Sequence, residues 1–389
     1  MDSPSVCYIA NCAINNSLEG HNIASIRIIE AAIKAGIISK VVTLENKRTY
    51  PKKDFYPIKT RLNPNRRTTI FPSLWEVLSS LPAMLTSKKT GCHIIHLLNV
   101  TKEVLLFNKM LVRSKNPCIT HFYHSSFPFH ALPSFKVRSL LLKLGVFDYI
   151  LSSNRSLADY LISDLGIETG RVHVVPYPVN VYQFKPMDKQ KLRQKYGVPE
   201  DMQIITYVGS IDEDRGFFSL LKSFKKVIKQ VPNAMLHIWH PGRSRQMSIV
   251  VNNFLSNLAI RDRIIIGGLN PHIEEAFAMA DVVALPFQKP YWITAPPLVL
   301  LEAMASATPI VTTPVDVIKE IGADMMDMIF TAPNDLGSLV NGIVYALENE
   351  DEARDIGRRA REKAIKNFSM QVVGEKLRET YKKIYDCKA

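Results

Sequence analysis

The stretch that decides the fold is Pro296-Pro297-Leu298-Val299-Leu300-Leu301-Glu302-Ala303-Met304-Ala305, continued by Ser306-Ala307-Thr308-Pro309-Ile310-Val311-Thr312-Thr313. It reads as a helix entered through prolines and left at a proline, with a short apolar strand behind it. Pro296 and Pro297 have no amide to donate, which costs nothing at the first helical positions. The next free amides point out of the helix start, where the helix dipole favours an anion. Glu302 stands inside an otherwise apolar helix. A carboxylate in that setting needs a partner. A ligand hydroxyl is one reading, and a solvated position on the outside of an αβ unit is the other.

Similar units extend in both directions. Upstream, Gln203-Ile204-Ile205-Thr206-Tyr207-Val208-Gly209 opens a series of strands continued by Met235–Trp239, Ile264–Ile266, Val282–Leu285 and Ile310–Val311. An earlier series comprises Val6–Ala10, Val41–Leu44, His93–Leu98, Cys118–Tyr123, Asp148–Ser152 and Val172–Val175, with a helix expected from about Ile23 to Lys34. Short apolar strands spaced by helical stretches indicate largely parallel, doubly wound sheets. The charged segment from Phe184 to Asp201, broken by Pro186, Gly197 and Pro199, separates the two series. The expectation is an N-terminal domain over 1–186, a linker over 187–200 and a C-terminal domain over 201–366. A polar helical tail over 367–389 is expected to return toward the N-terminal domain, with a break near Asn367-Phe368-Ser369. Two such domains enclose a cleft at the carboxyl ends of their strands, where open α/β sheets bind ligands.

Composition narrows the classes. A chain of 389 residues, 47% hydrophobic, is long enough for two ordinary domain cores. The five cysteines, Cys7, Cys12, Cys92, Cys118 and Cys387, are odd in number and form no close CxxC pair. That argues against a disulfide framework and a structural zinc site, and fits a reducing compartment. Met1-Asp2-Ser3-Pro4-Ser5 shows neither the basic region nor the apolar run of a signal peptide, and no segment approaches 18 consecutive apolar residues. The net charge of +13 is uneven: residues 1–186 hold 23 Lys+Arg against 11 Asp+Glu, while the rest hold 26 against 25. A basic first half attracts anionic membranes or anionic substrates. No nucleic-acid-binding motif is present, so nucleic acid is not an expected partner. A GxGxxG after the first strand is also missing, which disfavours a plain NAD dehydrogenase.

The Pro296–Thr313 stretch closely resembles the signature of retaining glycosyltransferases of family 4, which carry the GT-B fold: two Rossmann-like domains facing each other across a deep cleft. The resemblance covers nearly the whole chain and is strongest from Tyr207 to Glu320. It implies an enzyme that takes a sugar from a nucleotide-diphosphate donor, without a metal or other cofactor.

Several residues take on roles through this resemblance. Tyr207-Val208-Gly209-Ser210-Ile211-Asp212-Glu213-Asp214-Arg215-Gly216 is similar to the family's strand, turn and helix start, with Arg215 at the position of a lysine that contacts the donor diphosphate. Gly209 and Ser210 belong to the same element, and Ser210 stands where many members have arginine. As the sugar leaves, negative charge builds on the diphosphate, and a guanidinium with helix-start amides stabilises it. Pro297 and Leu298 lie at the second helix start, and Glu302 matches the second glutamate of an E-x7-E motif, which holds the nucleotide ribose. The first glutamate, which usually contacts the donor sugar, is replaced by Thr294. Either Thr294 and neighbouring backbone amides do that work for a particular sugar, or activity is weakened or lost. Glu320 matches a further acidic position near the donor. Ile266–Asn270 and Ala280–Pro286 are fold markers. Asp212-Glu213-Asp214 is read as a turn cluster and not as a DxD metal site. His237 and His240 flank a strand end without an assigned role.

On the acceptor side, His124 aligns with a histidine beside the reacting sugar, while His121 points elsewhere by strand alternation. Gly20-His21 lies in the first long loop, where the family places a glycine-rich turn near the donor; Asn11 to Asn22 is the expected lid. Phe71 to Leu85, with Trp75 at helical spacing among apolar residues and Arg61, Arg66, Arg67, Lys88 and Lys89 around it, suits either core packing or an anionic membrane surface. Phe135 to Phe147 is a second such segment. The resulting expectation is transfer to a glycan, glycolipid or lipid-linked acceptor by a cytoplasmic protein, peripheral on the inner face of the cell membrane. The rivals are a GT-B sugar-nucleotide epimerase or hydrolase, and a degenerate subunit that binds glycans or partners.

Overall fold

The computed structural model describes residues 4–10, 20–43, 55–57, 91–98, 118–121, 147–239, 260–267, 272–288 and 295–387. They fall into two compact units, Met1–Pro178 with Met370–Ala389, and Val179–Ser369.

The first unit is built on a parallel sheet of seven strands: β1 (Val6–Ala10), β2 (Ser39–Thr43), β3 (Phe55–Pro57), β4 (Ile94–Leu98), β5 (Cys118–His121), β6 (Tyr149–Ser152) and β7 (Val172–Val174). Their spatial order is β3-β2-β1-β4-β5-β6-β7, so the direction of winding reverses between β1 and β4. Every residue of Ile94–Leu98 is buried. Apart from His96 the run is apolar, as expected of a strand covered on both faces. The helix Gly20–Lys34 follows β1, and the C-terminal helix Met370–Asp386 packs on it.

The second unit repeats the plan. Its six parallel strands are β8 (Gln203–Val208), β9 (Ala234–Trp239), β10 (Ile264–Gly267), β11 (Val282–Leu285), β12 (Ile310–Thr312) and β13 (Ile329–Phe330). Their order is β10-β9-β8-β11-β12-β13, which is the arrangement 3-2-1-4-5-6 of a doubly wound sheet. The helix Phe217–Gln230 buries Phe217, Leu220, Leu221 and Phe224 against Ile205, Tyr207 and Leu236, one continuous core. Residues 187–200, expected as a linker, carry the helix Lys189–Lys195 and belong to this unit. Arg193 reaches the Asp281 carboxylate at 2.5 Å, and the same carboxylate accepts the Ile204 amide at 2.5 Å. Asp281 thus fastens that helix to the start of β8. It is a structural anchor, in keeping with its reading as a fold marker.

The tail divides at Ser369, whose extended backbone (φ −60°, ψ 150°) ends the helix Glu350–Phe368 before Met370–Asp386 begins. Two edge strands had no counterpart in the sequence reading, β3 and β13. Residues 20–22, expected within the first loop, form the first turn of the helix Gly20–Lys34.

Candidate active site

In a parallel sheet each crossover helix starts where the preceding strand ends, so the helix N-termini gather at the carboxyl edge. In the second unit the edge is reversed at β8 and β11, neighbours in the sheet. The connection after β8 runs from Gly209 to Gly216 and opens the helix Phe217–Gln230. The connection after β11 leads to the helix Leu298–Ala305.

The first connection is fixed by its own side chains. The buried Tyr207 hydroxyl donates to the Ser210 carbonyl, and burial raises its pKa well above the ordinary tyrosine value, so it stays a neutral donor. Asp212 Oδ1 accepts the Arg215 amide at 2.7 Å, and the Glu213 carbonyl accepts the Gly216 amide at 2.9 Å. Asp212 is therefore engaged in closing the turn. Gly216 has φ +72°, and a Cβ there would stand 1.8 Å from the Pro286 carbonyl oxygen. Only glycine allows both the backbone angle and that approach. Ser210 is exposed, Gly209 and Arg215 half-buried. The Arg215 guanidinium lies 5.7 Å from the centre of the Phe287 ring, within cation–π range.

At the second connection Pro297 precedes the helix and does not enter it; its φ −59°, ψ 131° makes it the cap. Pro296 lies before it, so both expected helical prolines sit outside the helix. The Pro297 carbonyl accepts the amides of Leu300 and Leu301 at 3.0 and 3.3 Å. The Leu298 and Val299 amides precede those bonds and face out of the helix start, where the dipole is positive. Glu302 is only 4% exposed. That removes the solvated reading: this carboxylate is held inside the unit. Glu320 is exposed at the end of the short helix Asp316–Lys319, which follows β12.

The carboxyl edge thus brings Gly209, Ser210 and Arg215 onto one connection and Pro297, Leu298 and Glu302 onto the next. Gly20 belongs to the other unit, where it is the first residue of its helix. His124, Thr294 and His240, the lid residues 11–19, the segment Phe71 to Leu85 and all of Phe135 to Phe147 but its last residue lie outside the described residues. His237 is buried beside Trp239, whose indole N–H donates to Nδ1 at 2.9 Å. Burial lowers its pKa to about 4.

The structure adds residues that the sequence reading passed over. Gln288, Phe287 and Asn334 tie the edge loops together: the Gln288 amide donates to the Asp214 carbonyl at 3.0 Å, and its side-chain Oε1 accepts the Asn334 amide at 2.8 Å. The one signal in the sequence was a polar residue placed just beyond the apolar run of β11. Among the described residues, no three of His, Cys, Asp and Glu gather in a group able to hold a metal ion.

Residues 188–363 match the family described as glycosyl transferases group 1. N-acetyl-alpha-D-glucosaminyl L-malate synthase of Bacillus anthracis is 26% identical over 198 residues, which are 51% of this chain and 49% of that protein. The chain spans about half the length of this curated relative. Over the whole chain, the sucrose-phosphate synthase of Thermosynechococcus elongatus superposes with a TM-score of 0.80 at 17% identity, covering 98% of this chain and 100% of that one. HepE of Anabaena, solved in complex with UDP-glucose, gives 0.75 at 16% identity, covering 97% and 99%. The chain has the GT-B fold, with two Rossmann-like units, and its residues 188–363 match the glycosyl transferases group 1 model.

Proposed function

We propose that this protein is a retaining, metal-independent glycosyltransferase that moves a sugar from a nucleotide-diphosphate donor to a hydroxyl of a glycan, glycolipid or lipid-linked acceptor. The observation that carries this reading is the pairing of a half-buried Arg215 and a buried Glu302 on the two connections at the point where the strand order reverses. The second unit binds the donor and the first the acceptor. Glu302 accepts hydrogen bonds from the ribose hydroxyls. The Leu298 and Val299 amides and the Arg215 guanidinium take the negative charge that grows on the diphosphate as the glycosidic bond breaks. The leaving phosphate oxygen then takes the acceptor proton on the same face of the sugar, which retains configuration. Thr294 replaces a carboxylate at the sugar, and His124 serves the acceptor side. Support for a lipid-linked acceptor at the inner face of the membrane comes from the basic excess of residues 1–186. Among the described residues no helix is long and apolar enough to cross a membrane.

The test is a screen of UDP-, GDP- and ADP-sugars for protection against thermal unfolding, followed by product analysis with a lipid extract. Arg215→Ala is expected to weaken nucleotide-sugar binding while leaving nucleoside binding nearly unchanged. EDTA is expected to leave transfer intact. Loss of the chemical step on chelation, restored by Mn²⁺ or Mg²⁺, would sink the metal-independent mechanism and return Asp212 and Asp214 to consideration as ligands. Protection by a nucleotide sugar with no product from any acceptor would point to a binding subunit, and donor turnover without an acceptor to an epimerase or hydrolase.

A further inference from the structure

Arg215 sits on a turn whose own bonds set its shape but not its direction. Direction comes from the loop after β11. Gln288 is 6% exposed, and each of its polar groups is used: the backbone amide on the Asp214 carbonyl at 3.0 Å, the side-chain Nε2 on the Pro286 carbonyl at 2.6 Å, Oε1 on the Asn334 amide at 2.8 Å, and the backbone carbonyl on Asn334 Nδ2 at 3.3 Å. These bonds join the loops that follow β8, β11 and β13. The neighbouring Phe287 carbonyl accepts the Thr313 hydroxyl at 2.7 Å, which adds the loop after β12. Phe287 itself is buried and offers its ring to the Arg215 guanidinium. Gly216, next to Arg215, is pressed against Pro286 and Gln288 with no room for a Cβ.

We infer that Gln288 is a positioning residue for the donor site: with Asn334 it locks the Phe287 platform and the 212–216 turn together, so that Arg215 is presented in one orientation. The inference rests on the donor-binding reading of Arg215. A guanidinium on a rigid support loses little freedom when it closes on a diphosphate, and that saving appears as affinity. With the brace removed, Arg215 keeps its charge but has to be ordered by the ligand.

The experiment is a double-mutant cycle between Gln288→Leu and Arg215→Ala, read as affinity for whichever of UDP, GDP and ADP binds best and for its parent nucleoside. Gln288→Leu is expected to weaken the diphosphate about tenfold, as for a lost buried hydrogen-bond network, while the nucleoside changes less than about twofold. In the Arg215→Ala background the same change should have almost no further effect, because nothing remains to be aimed. KM for the nucleotide sugar should rise more than kcat falls. Asn334→Gly keeps the left-handed backbone at φ +58° and its amide bond to Oε1 but removes the Nδ2 bond. It should show the same pattern at smaller size, and it decides the question if Gln288→Leu does not fold.

Equal losses for diphosphate and nucleoside, or a full Gln288→Leu effect in the Arg215→Ala background, would reduce the brace to general stabilisation and overturn the inference. A weakened Arg215→Ala beside an unweakened Gln288→Leu overturns the brace alone. An Arg215→Ala protein that binds the diphosphate as the parent does overturns the donor-site reading, and the brace with it.

Discussion

At the scale of single residues, the side chains that matter most are polar groups taken out of water. Glu302 is buried in a helix whose other seven residues are apolar. Glu302→Gln keeps volume and one acceptor but halves the carboxylate's accepting capacity. On the proposed reading it should keep the melting temperature within a few degrees and weaken ribose-containing donors roughly tenfold, since bonds to a charged acceptor are worth about 1.5–3 kcal/mol. The comparison is between ribonucleotide and 2′-deoxyribonucleotide diphosphates, and equal losses for both would separate Glu302 from the ribose. His237 makes a different prediction. Its folded-state pKa of about 4 lies below the ordinary 6.5, so the unfolded chain binds the extra proton. The contribution is complete above pH 6.5 and lost as pH falls through 4, by up to ~3 kcal/mol. His237→Gln, which still offers the Trp239 indole an acceptor, should flatten the fall in melting temperature between pH 7 and pH 4.5. An unchanged slope would show that the imidazole titrates freely.

At the scale of elements, the helix that carries Glu302 is positioned from behind by the helix Glu350–Phe368. Gly357 meets the Ala307 carbonyl so closely that a Cβ would stand 2.3 Å from its oxygen. Arg361 donates to the Ala305 carbonyl at the end of the Glu302 helix and to the Phe184 carbonyl at 3.0 Å. It supplies the acceptors of that C-terminus with a donor and a compensating charge. Gly357→Ala should therefore cost about 1–3 kcal/mol, the range for overpacking a tight contact, and on the proposed reading it should lower nucleotide-sugar affinity by moving the Glu302 helix. Ala307 itself is left-handed, at φ 58°, which costs an L-residue roughly 1–2 kcal/mol. Glycine escapes that cost and gives back ~0.4–1 kcal/mol in unfolded-chain entropy. Ala307→Gly should raise the melting temperature by a few degrees, and a fall would mean that the alanine methyl makes a contact worth more than the strain.

At the scale of the whole molecule, the ends of the chain are joined inside the first unit. The Tyr381 hydroxyl, on the C-terminal helix, lies 2.6 Å from His96 Nδ1 on β4 and 3.0 Å from the Tyr8 hydroxyl on β1. All three side chains are buried. Burial lifts the Tyr8 pKa above its ordinary value, so its hydroxyl stays protonated. Tyr381→Phe removes the shared hydroxyl and nothing else. It should cost about 0.5–1.5 kcal/mol, the net worth of a buried hydrogen bond, read as a lower denaturation midpoint. A midpoint within ~0.5 kcal/mol of the parent would mean that the helix is held by packing alone.

How much of this the sequence carried differs from residue to residue. The strands were legible because strands covered on both faces are nearly continuous apolar runs, as at Val282–Leu285 and, but for His96, Ile94–Leu98, and the break at Ser369 lay where the sequence placed it. β3 and β13 were not: Phe55-Tyr56-Pro57 and Ile329-Phe330 are too short for periodicity, and only the neighbouring strand makes them strands. The helix Lys189–Lys195 was hidden by its charge, because Arg193 and Lys189 are bound to Asp281, 88 and 92 residues away. The helix starts that carry Arg215 and Glu302 could be read locally, since glycine, proline and capping groups act within a few residues. The burial of Glu302, the fixing of Arg215 by Gln288 and Phe287, and the hydrogen-bond network around Tyr381 were decided by tertiary structure. Each depends on groups brought together by strand order, and no local pattern records which distant carbonyl a buried donor will find.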